Sequence, residues 1–170
     1  MTITRLAFGI VTAVGIAAAQ PSAPDVIGAV IDGISNTGSP CVVQSWAFGA
    51  TNATPAGGAG TAPKAQISPL VLTRQLDFCS PKLFGAATTG QHIAKVVLTQ
   101  YADATMRGEV MVITLTGVTV ANYQLSGAAG TAAPAETVGF TYGRIQFEYF
   151  PPTGGGSIKV GYDITTQKSL

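Results

Sequence analysis

Near the C-terminus, hydrophobic and polar side chains alternate one by one along two stretches of the chain. Residues 157–166 carry an apolar side chain at every second position: Ile158, Val160, Tyr162 and Ile164. Residues 144–149 do the same with Ile145, Phe147 and Tyr149, and leave Arg144, Gln146 and Glu148 on the other side. Because neighbouring side chains of a strand point to opposite faces, both stretches are predicted to be strands with one buried face. Phe147 and Tyr162 are expected on that buried face, on adjacent or facing strands.

Less regular apolar runs, rich in Val, Ile and Thr, predict further strands at residues 26–32, 41–48, 67–76, 93–98, 110–115 and 118–125. Stretches rich in small and turn-forming residues separate several of them, at 33–40, 127–134 and 151–156. One short helix is predicted from Ser80, which can cap it, to Gly90, with Pro81 in the first turn. Seven or eight strands with one short helix indicate a mainly β protein, either a barrel or a sandwich.

The N-terminal residues show a different pattern. Arg5 is followed by a largely apolar run over residues 6–19 that ends in three alanines. A basic start, an apolar stretch and small residues before Gln20 predict a secretory signal peptide over residues 1–19, followed by a flexible leader over 20–24. The alternative is a buried N-terminal helix or strand.

The chain is poor in charge. Only 10% of its 170 residues are charged, the formal net charge is +1, and 46% are hydrophobic. This balance removes the electrostatic attraction by which proteins bind nucleic acid or an anionic membrane, so neither partner is expected for the mature form. So few charges also leave a monomer poorly protected against association, which favours self-assembly.

The two cysteines, Cys41 and Cys79, are consistent with export. In an oxidising compartment they could pair across a separation of 38 residues. The alternative is two separate buried thiols that behave as small hydrophobic residues.

Residues that could perform catalysis or bind a metal are few and scattered. His92 is the single histidine, no G-x-S-x-G motif is present, and neither cysteine lies in a catalytic motif. The eight carboxylates show no acid–base spacing, and two cysteines with one histidine show no paired metal-ligand spacing. His92 is therefore interpreted as structural and Trp46 as a core residue. We expect no enzymatic activity, no cofactor, and no catalytic, cofactor-binding or metal-binding residues.

The longest irregular stretch is residues 50–64, which contain no large apolar side chain and no charge before Lys64. Such a segment is either disordered or an arm that becomes ordered against another chain. In the second case, small and polar residues would make the subunit contacts: Thr51, Asn52, Pro55, Gly57, Gly58, Gly60 and Pro63.

Taken in order, several short segments resemble the haemolysin-coregulated proteins (Hcp), which form the inner tube of type VI secretion systems. The similarity begins with Ile31-Asp32-Gly33-Ile34 and Ser45-Trp46-Ala47-Phe48-Gly49 at the ends of two strands. It continues with Asp77, Ser80, Pro81 and Leu83 in a D-x-x-S-P-x-L motif before the helix. The remaining segments are Gly90-Gln91-His92, 95–98, 113–120, 136–149 and Gly161-Tyr162-Asp163-Ile164. The resemblance covers about residues 25–166.

The resemblance implies an Hcp-like β-barrel of two sheets with one short helix, and a tube domain over residues 25–170. It also implies subunits that form six-membered rings, rings that stack into a hollow tube, and a lumen that carries effector proteins. Residues 50–64 correspond to the family's extended loop, which contacts adjacent subunits. Phage tail-tube proteins share the architecture, so a phage origin stays open.

Two features depart from the family, because ordinary members lack a cleaved leader and have more charged surfaces. They favour a secreted or extracellular tube protein over one that stays cytoplasmic until a type VI machine ejects it. The competing hypothesis is a secreted monomeric β-sandwich that acts as a binding module.

Overall fold

The computed structural model describes residues 26–36, 39–52, 65–103, 105, 108–131, 133–152 and 154–170. The predicted signal peptide (1–19) and leader (20–24) lie outside these residues, as does most of the predicted arm. The described residues form eleven strands and one α-helix. The mainly β class with one short helix is confirmed.

The strands follow one another closely along the chain. In chain order they are β1 Val26–Ile31, β2 Cys41–Val43, β3 Ser45–Ala47, β4 Ala50–Asn52, β5 Ala65–Ile67 and β6 Leu70–Gln75. After helix α1, Ser80–Thr89, come β7 His92–Tyr101, β8 Glu109–Ser126, β9 Ala135–Tyr149, β10 Ile158–Asp163 and β11 Lys168–Ser169.

Nine of the strands form one antiparallel sheet in the order β2-β1-β7-β8-β9-β10-β11, with β6 and β3 as a branch. The branch exists because β9 changes its neighbour along its length. Its first half, from Ala135 to Phe140, pairs with β6, and its second half, from Arg144 to Tyr149, pairs with β10. The remaining strands, β4 and β5, pair only with each other as a two-stranded ribbon.

The sheet curls because the segment from β2 to β3 pairs with both of its sides. β2 pairs with β1, and β3 pairs with β6. Between them the N–H of Gln44 donates to the carbonyl of Thr73 at 2.8 Å. The expected barrel is corrected in this respect: among the described residues, nine strands share one curled sheet that is not a closed barrel, and the second sheet is the two-stranded ribbon of β4 and β5.

The inner face of the curled sheet forms the hydrophobic core. Its fully buried members come from most of the long strands: Ala29, Ile31, Leu70, Leu72, Val96, Leu98, Ile113, Leu115, Val138 and Phe140. Helix α1 covers one side of this core with Leu83 and Ala86, both 0% exposed. The strand pattern in the sequence therefore indicates the correct inner face over the middle of the sheet.

The structure has one strand, β8, where the sequence predicts two. Residues 110–115 and 118–125 belong to a single strand of 18 residues that continues through Gly117. Gly117 has φ +64°, a conformation that other residues rarely adopt, and the inward positions change there from odd to even numbers. Ile113 and Leu115 are buried before it, and Val118 and Val120 after it.

The predicted helix is confirmed, but its first residue is not the cap that the sequence suggested. Cys79 is the N-cap and Ser80 the first helical residue. Asp77 organises the turn: its Oδ1 accepts from the N–H of Cys79 at 2.7 Å, and its own N–H donates to Ser80 Oγ at 3.0 Å. Gly90 ends the helix with φ +65°. Among the described residues, no helix is long and apolar enough to cross a membrane.

Candidate functional site

The inner face of the sheet is covered in its middle and open at its ends. Across β8, β9 and β10 the side chains Ile113, Phe147 and Val160 lie in register on one face. Ile113 is fully buried, Phe147 is half-buried, and Val160 is 59% exposed. The core face therefore continues into a region that no other described residue covers.

Phe147 and Tyr162 pack against the core on adjacent strands, which confirms their predicted inward orientation. Arg144 is exposed, as expected. Ile158 and Val160 were expected on the same buried face, but they are 65% and 59% exposed. They have the correct orientation, but none of the helices and strands that the structure describes lies over this part of the sheet.

The uncovered end forms a groove, here called the sheet groove, of about 360 Å³. It is lined by Phe48, Ile145, Phe147, Val160, Gly161, Tyr162 and Ser169. Trp46 supports its wall, because the rings of Trp46 and Phe48 stack with centroids 6.0 Å apart. The indole N–H of Trp46 also donates to Gln100 Oε1 at 3.4 Å.

A second apolar groove, here called the helix groove, lies between α1 and the far end of β8 and has a volume of about 450 Å³. It is lined by Leu76, Ser80, Pro81, Phe84, Tyr123 and Leu125. Phe84 is 56% exposed and Leu125 is 52% exposed. The rings of Phe84 and Tyr123 meet edge to face with centroids 5.7 Å apart.

The two grooves lie at opposite ends of the β8–β9 ladder. Ile113 pairs with Phe147 of the sheet groove, whereas Tyr123 lines the helix groove. These two β8 residues are ten positions apart, about 33 Å along a fully extended strand. The subunit therefore presents two different apolar surfaces, which have no lining residue in common.

A buried ionic cluster supports the floor of the helix groove. Arg74 and Glu136 lie opposite each other on β6 and β9, both side chains are 0% exposed, and Arg74 Nε is 2.9 Å from Glu136 Oε1. Arg74 also pairs with Asp77. The Tyr123 hydroxyl donates to Glu136 Oε2 at 2.7 Å. Burial, followed by this bond and the charge of Glu136, raises the pKa of Tyr123 to about 12. The cluster holds the Tyr123 ring in one orientation.

Two hydrogen bonds between Gly49 and Ser68, here called the clamp, join the two strands at the base of the β4–β5 ribbon. The N–H of Gly49 donates to Ser68 Oγ at 2.7 Å, and the N–H of Ser68 donates to the Gly49 carbonyl at 2.8 Å. The Tyr142 hydroxyl donates to the Ser68 carbonyl at 3.0 Å, which fastens the clamp to the core. Burial raises the pKa of Tyr142 to about 12.

Of the predicted arm contacts, the structure describes two. Thr51 and Asn52 lie exposed on β4. Pro55, Gly57, Gly58, Gly60 and Pro63 lie outside the described residues, so the role of the arm stays a prediction.

On the outer face of β9 and β10, charges pair locally. Arg144 Nε lies 2.7 Å from Asp163 Oδ2, and Lys159 Nζ lies 3.3 Å from Glu148 Oε2. The N–H of Thr166 and then Arg144 lower the pKa of Asp163. The Ser157 hydroxyl, followed by Lys159, lowers the pKa of Glu148. Each of these two pairs joins one positive and one negative side chain on this face.

The structure joins Cys41 on β2 to Cys79 at the helix N-cap through a disulfide, with Cα atoms 6.0 Å apart. This separation lies within the limit of about 7 Å that a bridge allows. His92 lies exposed at the start of β7, opposite Thr119. Within the described part of the chain, no group of three or more His, Cys, Asp or Glu residues is placed to hold a metal ion.

The helix groove is not predicted by the sequence. The pattern places Leu76 at the end of a strand and Leu125 at the end of another, and Phe84 within the helix. One signal is present in the sequence: Leu76 and Phe78 are large apolar residues on either side of Asp77, and Phe84 is a third on the short helix that follows.

Comparison with known proteins gives a consistent result. Residues 35–149 match the family model described as type VI secretion system effector, Hcp. Protein hcp1 of Pseudomonas aeruginosa is 29% identical over 107 residues, which are 59% of this chain and 66% of that protein. The chain thus spans just under two thirds of that relative's length.

Two solved structures are similar over nearly their full length. A structure described as a type six secretion system protein superposes with a TM-score of 0.76 at 28% identity, and covers 86% of this chain and 100% of that one. Hcp1 from Salmonella typhimurium gives a TM-score of 0.72 at 28% identity, with 86% and 99% coverage.

Proposed function

This chain belongs to the Hcp family of type VI secretion tube proteins, and from that premise we propose that it is a structural subunit whose copies join head to tail into hexameric rings that stack into a hollow tube. The partner of the subunit is then a second copy of itself. The lumen of such a tube would be the place for effector cargo.

The observation that carries this proposal is the pair of apolar grooves at opposite ends of the β8–β9 ladder. A contact between two different surfaces of identical subunits is heterologous, so each copy still offers one free groove after pairing. Repetition of the contact closes a ring when the rotation between copies allows it. We therefore assign the helix groove of one subunit to the sheet groove of the next.

The composition supports burial of both grooves. Phe84, Leu125 and Val160 are each more than half exposed in the single chain. Large exposed apolar groups in clusters mark interaction surfaces, and a chain with 10% charged residues has little charge to keep such clusters apart. The ribbon and the arm that follows it are assigned to the contact between stacked rings.

The test uses two variants, each of which places a charge in one groove. The charge is exposed in the single subunit but would be buried in the contact between two subunits. Phe84→Asp spoils the helix groove, and Val160→Asp spoils the sheet groove. Because both residues are exposed, each subunit should stay folded but remain monomeric in sedimentation velocity, whereas the unchanged chain forms rings and tubes visible by negative stain. Mixed in equal amounts, the two variants should form dimers and stop there, since the pair retains one intact groove of each kind.

The matched control is Val42→Asp, since Val42 is 53% exposed on β2 but lines neither groove. This variant should assemble as the unchanged chain does. Rings from either groove variant alone would contradict the assignment of the grooves. If the unchanged chain stays monomeric at every concentration, the proposed function fails and the secreted binding module becomes the better account.

A further inference from the structure

The Cys41–Cys79 bond lies inside the subunit, not on its surface. Both residues are 0% exposed and belong to the same hydrophobic core as Ile31, Val43 and Leu83. The two positions are 38 residues apart in the chain. In the folded subunit neither sulfur is exposed to an oxidising protein. This burial favours formation of the bond while the chain is still folding.

If the bond forms during folding, the chain folds in a compartment where disulfides can form. Protein disulfides form and persist outside the reducing cytoplasm. Independently, residues 1–19 have the basic start, apolar run and small-residue end of a secretory leader. We infer that this subunit crosses the membrane unfolded, forms its Cys41–Cys79 bond as it folds in an oxidising compartment, and assembles only afterwards. The last step rests on the proposed function; the first two do not.

The oxidation needs a partner of known chemical class, an oxidised protein dithiol. One chain thiolate attacks the partner's disulfide and forms a mixed disulfide, and the partner's second sulfur leaves as a thiolate. The other chain thiolate then attacks the chain sulfur in that mixed disulfide. Cys41 and Cys79 together lose two protons and two electrons, and the partner's disulfide is reduced to a dithiol.

The position of the bond connects it to assembly. Cys79 is the N-cap of α1, next to Ser80 and Pro81, which line the helix groove. The disulfide ties this end of the helix to β2. Another contact near the same end is made by the ammonium of Lys82, which donates to the Ile34 carbonyl at 3.0 Å. Without the bond, the wall of the helix groove loses its covalent anchor.

The experiment compares three full-length chains expressed with their own N-terminus in a bacterial host that has an oxidising periplasm. The first is unchanged. The second carries Val11→Arg and Val14→Arg, which break the apolar run of the leader and keep the chain in the cytoplasm. The third carries Cys41→Ala and Cys79→Ala with an intact leader. Each culture is quenched in acid, alkylated under denaturing conditions and weighed by intact mass, and native extracts are examined by sedimentation and negative stain.

The unchanged chain should be found outside the cytoplasm, shorter by the leader, with no alkyl group added until a reductant is present, and assembled. The leader variant should keep its full mass, take up two alkyl groups and fail to assemble. The alanine variant should be exported, but its unfolding equilibrium constant should rise at least about tenfold and its assembled fraction should fall.

Two results would overturn the inference. One is an unchanged chain that keeps its leader, takes up two alkyl groups and assembles in the cytoplasm. The other is an alanine variant that is as stable and as fully assembled as the unchanged chain. An exported, oxidised chain that forms no rings would support export and bond formation while refuting the proposed tube function, so the two failures are distinguishable.

Discussion

Arg74 and Glu136 show how a few charged residues can define a surface that is otherwise apolar. They lie opposite each other across β6 and β9 with both side chains fully buried, and Glu136 also accepts from the Tyr123 hydroxyl. A buried charge is tolerated only when it has a partner, so the pair requires β6, β8 and β9 to meet in one register. That register places Tyr123 in the helix groove.

We predict that Glu136→Gln lowers the free energy of unfolding by about 3 kcal/mol, because it leaves the buried guanidinium of Arg74 short of a counter-charge. The measurement is chemical denaturation followed by the fluorescence of Trp46. Glu148→Gln is the control, since Glu148 pairs with Lys159 at the surface and its loss should change stability little. If both substitutions lowered the free energy of unfolding by the same amount, burial of the Arg74–Glu136 pair would not explain the loss.

The ribbon of β4 and β5 is the element least supported by the rest of the subunit. In the part of the chain that the structure describes, it pairs with no strand of the main sheet, and all three residues of β4 are exposed. A hairpin of two strands is marginally stable alone in water. Here the clamp of Gly49 and Ser68, with the Tyr142 hydroxyl behind it, secures its base. The opposite end leads into the predicted arm.

We predict that replacing residues 53–64 with Asn-Gly leaves a folded subunit that forms rings but few stacked tubes. Asn52 pairs directly with Ala65, so a two-residue turn can close the ribbon without changing its register. Electron microscopy gives the ratio of rings to tubes, and the melting temperature reports on the fold. Tubes of normal length from this variant would show that the arm is a passive connection.

The subunit as one body combines two apolar grooves with two ion pairs on the outer face of β9 and β10. Arg144 pairs with Asp163 and Lys159 pairs with Glu148, while the two grooves are lined mainly by apolar side chains. Association of such surfaces is driven by removal of apolar area from water and not by attraction between opposite charges.

We therefore predict that raising the salt concentration from about 0.05 M to about 1 M, which shortens the screening length to about 3 Å, leaves the assembled fraction unchanged or higher. Sedimentation velocity at fixed protein concentration measures that fraction. Assembly through ion pairs would give the reverse, a release of monomers at high salt.

Much of the secondary structure follows from local pattern alone. The strand at 144–149, the helix from Ser80 and its end at Gly90 depend on side-chain alternation and on backbone freedom at single residues, which the chain carries wherever it folds. Other features need distant partners. Gln44 interrupts a predicted strand because β2 and β3 pair with different neighbours, and Gly117 continues a strand because its backbone lies beside Gly143.

The candidate site shows the same division. Alternation correctly orients Phe147, Tyr162 and Val160 toward one face, because that depends only on the two-residue period of a strand. It cannot distinguish the half-buried Phe147 from Val160, which is 59% exposed. Exposure depends on which elements of the folded chain reach over that face. Within the described part of the chain, the curled sheet and helix α1 cover the middle of that face and leave its two ends uncovered, so the tertiary structure alone decides where the grooves lie.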